Sequence, residues 1–190
     1  MALTTVSRVQ NALRKTGAVQ GDTTLITRLI KEVSTEAEKI TRRFLQYGKY
    51  TEIFDGGKDK IWLKGAGIKK LNKIFINNME IDIIEEIEAL NLILDTETGM
   101  VWRRTGFDVG YKNVVVEYEC GYEAKDSNET NPVPQDLEGA IIMEVVVRYR
   151  YLSEVEMPVT TDSGGIMDTS KEWLDKRARE ILKRYKRVLV

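Results

Sequence analysis

The sequence predicts an α+β fold: a helical core of N-terminal helices and two C-terminal helices, with a small antiparallel β unit inserted between them. Three observations predict it. Apolar residues recur every three or four positions at both ends of the chain. Between Tyr50 and Tyr118 the period falls to two. Gly- and Asn-containing turn signals cut that middle stretch into short segments.

Thr4 or Thr5 is placed to cap a first helix carrying Val6, Val9 and Leu13. Gly17 and Gly21 end it. Asp22 offers a second N-cap, followed by Leu25, Ile26, Leu29, Ile30, Val33, Ala37, Ile40 and Phe44 as one apolar stripe. Arg28, Lys31, Glu32, Glu36, Lys39 and Arg43 fall on the opposite face, and Gly48 lies where the helix is expected to stop.

Tyr50–Phe54 reads as a strand, Asp55-Gly56-Gly57 as a hairpin turn, and Lys60–Leu63 as the next strand. Leu71–Ile76 alternates and turns at Asn77-Asn78 into Met79–Ile83. Ala89–Leu94 leads through the turn Asp95–Gly99 to Met100–Trp102, and Asn113–Tyr118 is a β-branched, buried strand. This spacing suits a small sandwich or barrel-like unit. Lys125–Asn131 is loop-like. Pro132 and Pro134 then lead into Leu137–Leu152, whose Ile141, Ile142, Val145, Val146 and Val147 suit a buried central helix. Met157–Met167 is a loop with Pro158 and Gly164-Gly165. Asp168, Thr169 or Ser170 caps a last helix with Leu174, Ala178, Ile181, Tyr185 and Leu189 on one face. The organisation is 1–48 for the N-terminal helices, 49–124 for the inserted β unit and 132–190 for the C-terminal helices.

Composition restricts the chemistry. The 190 residues include no histidine and one cysteine, Cys120. That removes the commonest general base, the Ser-His and Cys-His pairs, an intrachain disulfide and a Cys-cluster zinc site. The hydrophobic share of 42% is enough for a core. Met1–Asn11 has no signal-peptide core and no apolar run reaches membrane-spanning length, so the expectation is a soluble intracellular start without membrane contact.

Net charge is −1, from 29 Lys+Arg against 30 Asp+Glu, but it is unevenly spread. Met1–Tyr50 has 9 basic and 4 acidic residues, Thr51–Met167 has 12 and 22, and Asp168–Val190 has 8 and 4. Such a pattern suits copies that meet head to side, or simply differently solvated faces.

The candidate sites are few. Glu80, Asp82, Glu85, Glu86 and Glu88 could hold magnesium, yet they interleave with Ile81, Ile83, Ile84 and Ile87 as a solvated face over a buried one would. Asp55–Asp59 and Asp95–Gly99 lack the ligand ladder of a calcium loop, and Gly65-Ala66-Gly67 lacks the Lys-Ser/Thr of a P-loop. Lys64, Lys69, Lys70 and Lys73 near Trp62 and Phe75 match either a single-strand-binding strand or plain strand alternation. Lys171, Lys176, Arg177, Arg179, Lys183, Arg184, Lys186 and Arg187 surround the last apolar stripe, as a polar face or a docking helix would.

The order of parts carries a resemblance. Two helices end in Ile40-Thr41-Arg42-Arg43-Phe44 and lead to Tyr50-Thr51-Glu52-Ile53-Phe54-Asp55-Gly56. Leu94–Val101 forms a hairpin, Asn113–Tyr122 a strand ending in Glu119-Cys120-Gly121-Tyr122, and Val133-Pro134-Gln135-Asp136-Leu137 opens an apolar helix. Over most of Leu25–Tyr151 this resembles the head–tail connector (adaptor) proteins of tailed bacteriophages and prophages. The resemblance implies a structural subunit of a virion neck, made in the host cytoplasm, with no catalysis and no cofactor. It implies a ring of copies, usually twelve, between the portal and the next neck or tail-completion protein, with DNA passing through without sequence-specific contact. On that reading the last helix docks on the portal through Trp173, Leu174, Arg177, Ile181, Arg184, Tyr185, Lys186 and Arg187, with Trp and Arg as the residue types that most often dominate binding energy. The alternatives are a tail-completion or stopper protein, a small nucleic-acid-binding domain using Lys64–Lys73, and a carboxylate-dependent hydrolase.

Overall fold

A computed structural model describes residues 2–15, 22–124, 131–155 and 176–187. The chain divides into two compact units: a β unit centred on Arg42–Glu123, and a helical unit formed by Ala2–Thr41 with Val133–Val190. The expected α+β class is observed, with five helices and two small antiparallel sheets among the described residues.

The helical unit contains α1 (Val6–Lys15), α2 (Thr23–Thr41), α4 (Gln135–Val155) and α5 (Lys176–Arg184). Thr5, rather than Thr4, caps α1, its hydroxyl accepting weakly from the Arg8 N–H at 3.5 Å. Thr4 is buried instead. Asp22 caps α2 through the Thr24 N–H at 2.8 Å. The α2 stripe is buried at Ile26, Leu29, Ile30, Val33 and Ala37. It ends earlier than the spacing predicts. Arg42 turns the chain out of the helix at φ +56°, so Phe44 leaves the stripe and bridges Gly65 in the β unit. There Phe44 stacks on Tyr50, with ring centroids 4.2 Å apart. The expected stop at Gly48 is the first residue of a strand.

The helix after Pro134 forms as expected and is the centre of this unit: α4 packs on α1, α2 and α5. Leu137, Ala140, Ile141, Val145 and Val146 are its buried apolar positions. It also buries Glu138 and Glu144. Buried carboxylates need partners. Arg8 pairs with Glu138, which also accepts from the Thr4 hydroxyl at 3.3 Å. Arg148 lies between Glu144 at 2.7 Å and Glu36 of α2 at 2.5 Å. Burial opposes the Arg148 charge, but its hydrogen bonds to both carboxylates outweigh that and hold the guanidinium further into its charged range.

The β unit has two antiparallel sheets. One has the order β1 (Gly48–Phe54), β7 (Val114–Cys120), β3 (Lys70–Ile76), β4 (Met79–Glu80); the other is β2 (Lys60–Trp62), β6 (Met100–Arg103), β5 (Leu92–Asp95). Both contribute to one core, including Ile61, Ile74, Leu92, Val101, Val116 and Tyr118. The Asp55-Gly56-Gly57 turn therefore does not close a hairpin: β1 pairs with β7, and β2 with β6. The chain crosses between sheets there, because Ile61 is needed in the shared core. Asn77-Asn78 does make the expected tight turn, both residues at positive φ, and Asp95–Gly99 does join β5 to β6. The expected strand Met79–Ile83 is cut short. The Asp82 side chain accepts from the N–H groups of Ile84 and Glu85 and starts a short helix, α3 (Ile83–Glu88).

Candidate functional site

The residues that the sequence analysis expects to dock on a partner lie on the last helix and just before it. Trp173 and Leu174 lie outside the described residues, as do Gly17 and Gly21, the segment 125–130, the loop 157–167 with Pro158 and Gly164-Gly165, the caps at 168–170, Lys171, and Val188, Leu189 and Val190. The structure places the rest on or just after α5. Its buried contacts are Ala178 and Leu182, each 1% exposed. Leu182 was not on the stripe read from the sequence, while Ile181 and Tyr185, which were, are half-buried. Ala178 is on that stripe, so the buried face keeps the predicted side of the helix and takes in the neighbouring Leu182.

Two further contacts fasten α5. The Tyr185 hydroxyl donates to Asp136 at the start of α4, at 2.5 Å. The Arg187 N–H donates to the Thr41 carbonyl at the end of α2, at 2.9 Å. In this state the helix completes the helical unit rather than standing away from it. Its outer face carries Lys176, Arg177, Lys183, Arg184 and Lys186, all exposed. These five are exposed, whereas Ala178 and Leu182 are not.

The acidic run does not form a site. Glu86 turns inward and pairs with Arg103 at 2.9 Å, and Glu80 pairs with Lys73 at 3.2 Å. The isoleucines correct the sequence reading. Ile81 and Ile83 pack against the core, but Ile84 and Ile87 are exposed. Among the described residues no group of three or more acidic or cysteine side chains is placed to hold a metal ion. Asp95 is used by its own hairpin: its carboxylate accepts from the Thr98 hydroxyl at 2.7 Å and the Glu97 N–H at 3.0 Å. The Thr98 hydroxyl and N–H, then the Glu97 N–H, hold the Asp95 carboxyl below its usual range.

The basic strand is dispersed. Lys64 faces Glu52 at 3.9 Å, Lys73 faces Glu80, and Lys69 lies over the Tyr47 ring at 5.4 Å. Trp62 is in the three-stranded sheet and Phe75 in the four-stranded one. Two of the four lysines of this run, Lys64 and Lys73, are thus paired with carboxylates, which weakens the run as a positive track for a nucleic-acid strand.

Two of the pieces that carried the resemblance, the chain after Phe44 and the end of β7, meet in space. The chain after Phe44, the Lys64–Ala66 turn and the end of β7 interlock through backbone hydrogen bonds. Phe44 N–H donates to Lys64 O, Ala66 N–H to Phe44 O, Gly121 N–H to Ala66 O, and Tyr122 N–H to Leu45 O. Gly121 has φ +95°, and a Cβ there would fall 2.2 Å from the Gln46 carbonyl oxygen. Asn131 closes the knot from the far side, its amide donating to the carbonyls of Gly67 and Gly121 at 2.8 and 2.9 Å. Beneath it, Tyr118 donates to the buried Glu52 carboxylate and accepts from the Gly65 N–H at 3.1 Å. Sequence reading did not find this network, because its members are spread from Phe44 to Asn131. Cys120 is buried inside it, as a structural thiol would be.

Comparison with known proteins then gives the fold a setting. No protein-family model and no curated protein matches the chain. Solved chains do, among them one from the neck of an empty gene transfer agent (GTA) particle computed with C6 symmetry, one from the neck of a native GTA particle computed with C12 symmetry, and one from the virion of a native GTA particle. Their TM-scores are 0.65, 0.60 and 0.60, at 12%, 12% and 11% identity. They cover 99%, 97% and 99% of this chain and 91%, 89% and 91% of their own. The chain has the fold of these particle chains. At this identity the likeness speaks for the fold. No helix among the described residues is long and apolar enough to cross a membrane.

Proposed function

We propose that the chain is a structural subunit of the neck of a tailed phage or phage-like particle. Copies assemble as a closed ring between the portal and the next neck or tail protein, and DNA passes through the centre. The observation that carries this reading is the shared fold, over nearly the full length of both chains, with chains from GTA necks computed with C6 and C12 symmetry. The charge distribution supports it. The described parts of the helical unit hold 15 Lys and Arg against 9 Asp and Glu, a surface suited to acidic neighbours or to phosphate. The role requires no catalysis and no cofactor.

The docking element is the exposed basic face of α5 with Arg177 and Arg184, continued by Lys186 just after the helix. It attaches to the portal through ion pairs while Ala178 and Leu182 keep the helix in its own unit.

Mass measurement and electron microscopy of the purified chain, at its highest soluble concentration and in assembled necks, test the ring. A cyclic assembly with DNA in its lumen is the expected result. One asymmetric copy per neck, or a monomer in every sample, overturns it.

A further inference from the structure

The central helix of the helical unit buries charge toward two different neighbours. The Glu138 side chain is 3% exposed and the Glu144 side chain 2%. Six residues along a helix turn through about 600°, which sets the two carboxylates about 120° apart around the α4 axis. Glu138 takes Arg8 of α1 and the Thr4 hydroxyl just before that helix. Glu144 takes Arg148, one turn on along α4 itself, and Arg148 reaches across to Glu36 of α2.

The two contacts have opposite polarity. α1 brings a cation to an anion of α4, whereas α2 brings an anion to a cation of α4. If the two helices exchanged seats, Arg8 would meet Arg148 and Glu36 would meet Glu138, a like-charge contact at each place. A slip of α1 by one turn along α4 would carry Arg8 toward Pro134 or Ile142 and leave the buried Glu138 carboxylate without its cation.

Apolar packing draws no such distinction. α1 buries Val9 and Leu13, and α2 buries Ile26, Leu29, Ile30, Val33 and Ala37. Both stripes are aliphatic at helical spacing, and burial of such surface is non-directional. Buried ion pairs, for their part, add little net stability, because desolvation offsets most of the attraction. Their effect lies in the arrangements they forbid.

We infer that Arg8–Glu138 and Glu36–Arg148–Glu144 are keys of opposite polarity that fix which N-terminal helix seats where on α4, and in which register. They define one arrangement of the helical unit rather than adding to its stability. Identical contacts repeated around a symmetric assembly need every copy to present its helices in one such arrangement.

Two chains stripped of a key test this. In one, Thr4→Val, Arg8→Met and Glu138→Met remove the α1 contact. In the other, Glu36→Met, Glu144→Met and Arg148→Met remove the α2 contact. Cys120 is buried, so cysteines introduced at the surface are the ones that take spin labels. Labels at the exposed positions Asn11 and Val147 report on α1 against α4, and labels at Lys31 and Val147 on α2 against α4. Each labelled chain is diluted with unlabelled chain of the same sequence, so that pulsed electron paramagnetic resonance reads distances within one copy. The wild type is expected to give one narrow distance peak. Each stripped chain is expected to melt at or above the wild-type temperature while its own peak broadens or splits. Arg8→Met alone, which leaves Glu138 buried without its cation, is expected to melt lower. A stripped chain that keeps the narrow wild-type peak overturns the inference for that helix. So does a stripped chain that melts below the wild type, since its charges then act as ordinary stabilising contacts.

Discussion

The Tyr118 hydroxyl donates a hydrogen bond to Glu52 across the β1–β7 pair, and both side chains are buried. The same oxygen accepts from the Gly65 N–H, and the Glu52 carboxylate also accepts from the Lys64 N–H at 2.7 Å. One phenol therefore joins a carboxylate to a turn. Burial, then the Glu52 hydrogen bond and charge, push its pKa far up.

Tyr118→Phe is expected to cost about 2 kcal/mol of stability, because it leaves a buried carboxylate and a buried N–H each short of a partner. The pH dependence gives a second readout. A group whose folded pKa is raised contributes stability below its unfolded pKa and loses it as pH rises. Stability should therefore fall above about pH 10, where the unfolded tyrosine ionises and the folded one does not. Denaturant titrations on both sides of that pH check it. Tyr118→Phe should flatten the fall, and an unchanged slope counts against the network.

Arg148 should be the most sensitive charge in the helical unit. Arg148→Met takes the guanidinium away from the Glu144 carboxylate, whose side chain is 2% exposed, and is expected to cost about 3–5 kcal/mol. Adding Glu144→Leu should recover a large part of that loss. Chemical melts of the two single variants and the double variant measure the coupling. If the losses simply add, Arg148 and Glu144 do not act as a pair.

Gly121→Ala should disrupt the knot of the β unit. The left-handed backbone alone costs about 1–3 kcal/mol for a residue with a side chain. The Cβ would in addition overlap the Gln46 carbonyl. Loss of the folded near-ultraviolet signal, or a fall of the denaturant midpoint, is the expected outcome. A stable alanine variant would mean that Gln46 and Gly121 are not in this register.

On α5 the two faces should separate cleanly. Leu182→Ala is expected to destabilise the chain by about 2–4 kcal/mol, as a buried leucine truncation does. Arg177→Ala with Arg184→Ala and Lys186→Ala should leave melting nearly unchanged, because exposed substitutions shift stability by about 0.5 kcal/mol or less. The triple variant should still fail to attach to portal-containing heads. Attachment at the wild-type level removes the basic face from the docking proposal.

Much of the fold is legible in the sequence because period and punctuation are local properties. The α2 stripe from Ile26 to Ala37, the Asp22 cap, the Asn77-Asn78 turn and the Asp95–Gly99 hairpin each depend on residues a few positions apart. So do the absence of histidine and the single cysteine, which close off whole classes of chemistry. What the tertiary structure alone decided involves distant partners. Phe44 leaves its helix because Gly65 and Tyr50 receive it. The Asp55 turn crosses between sheets because β7, sixty residues on, claims β1 as its neighbour. Leu182 joins Ala178 on the inner face of α5, with Ile181 and Tyr185 half-buried beside them, because packing against α2 and α4 decides which side of α5 is covered most deeply. Ile84 and Ile87 read as a buried face and are exposed, because Ile83 and Glu86 take the inward positions of α3. A periodic pattern states that one side of an element is apolar; only packing against a neighbour far along the chain determines which side is covered, and by what.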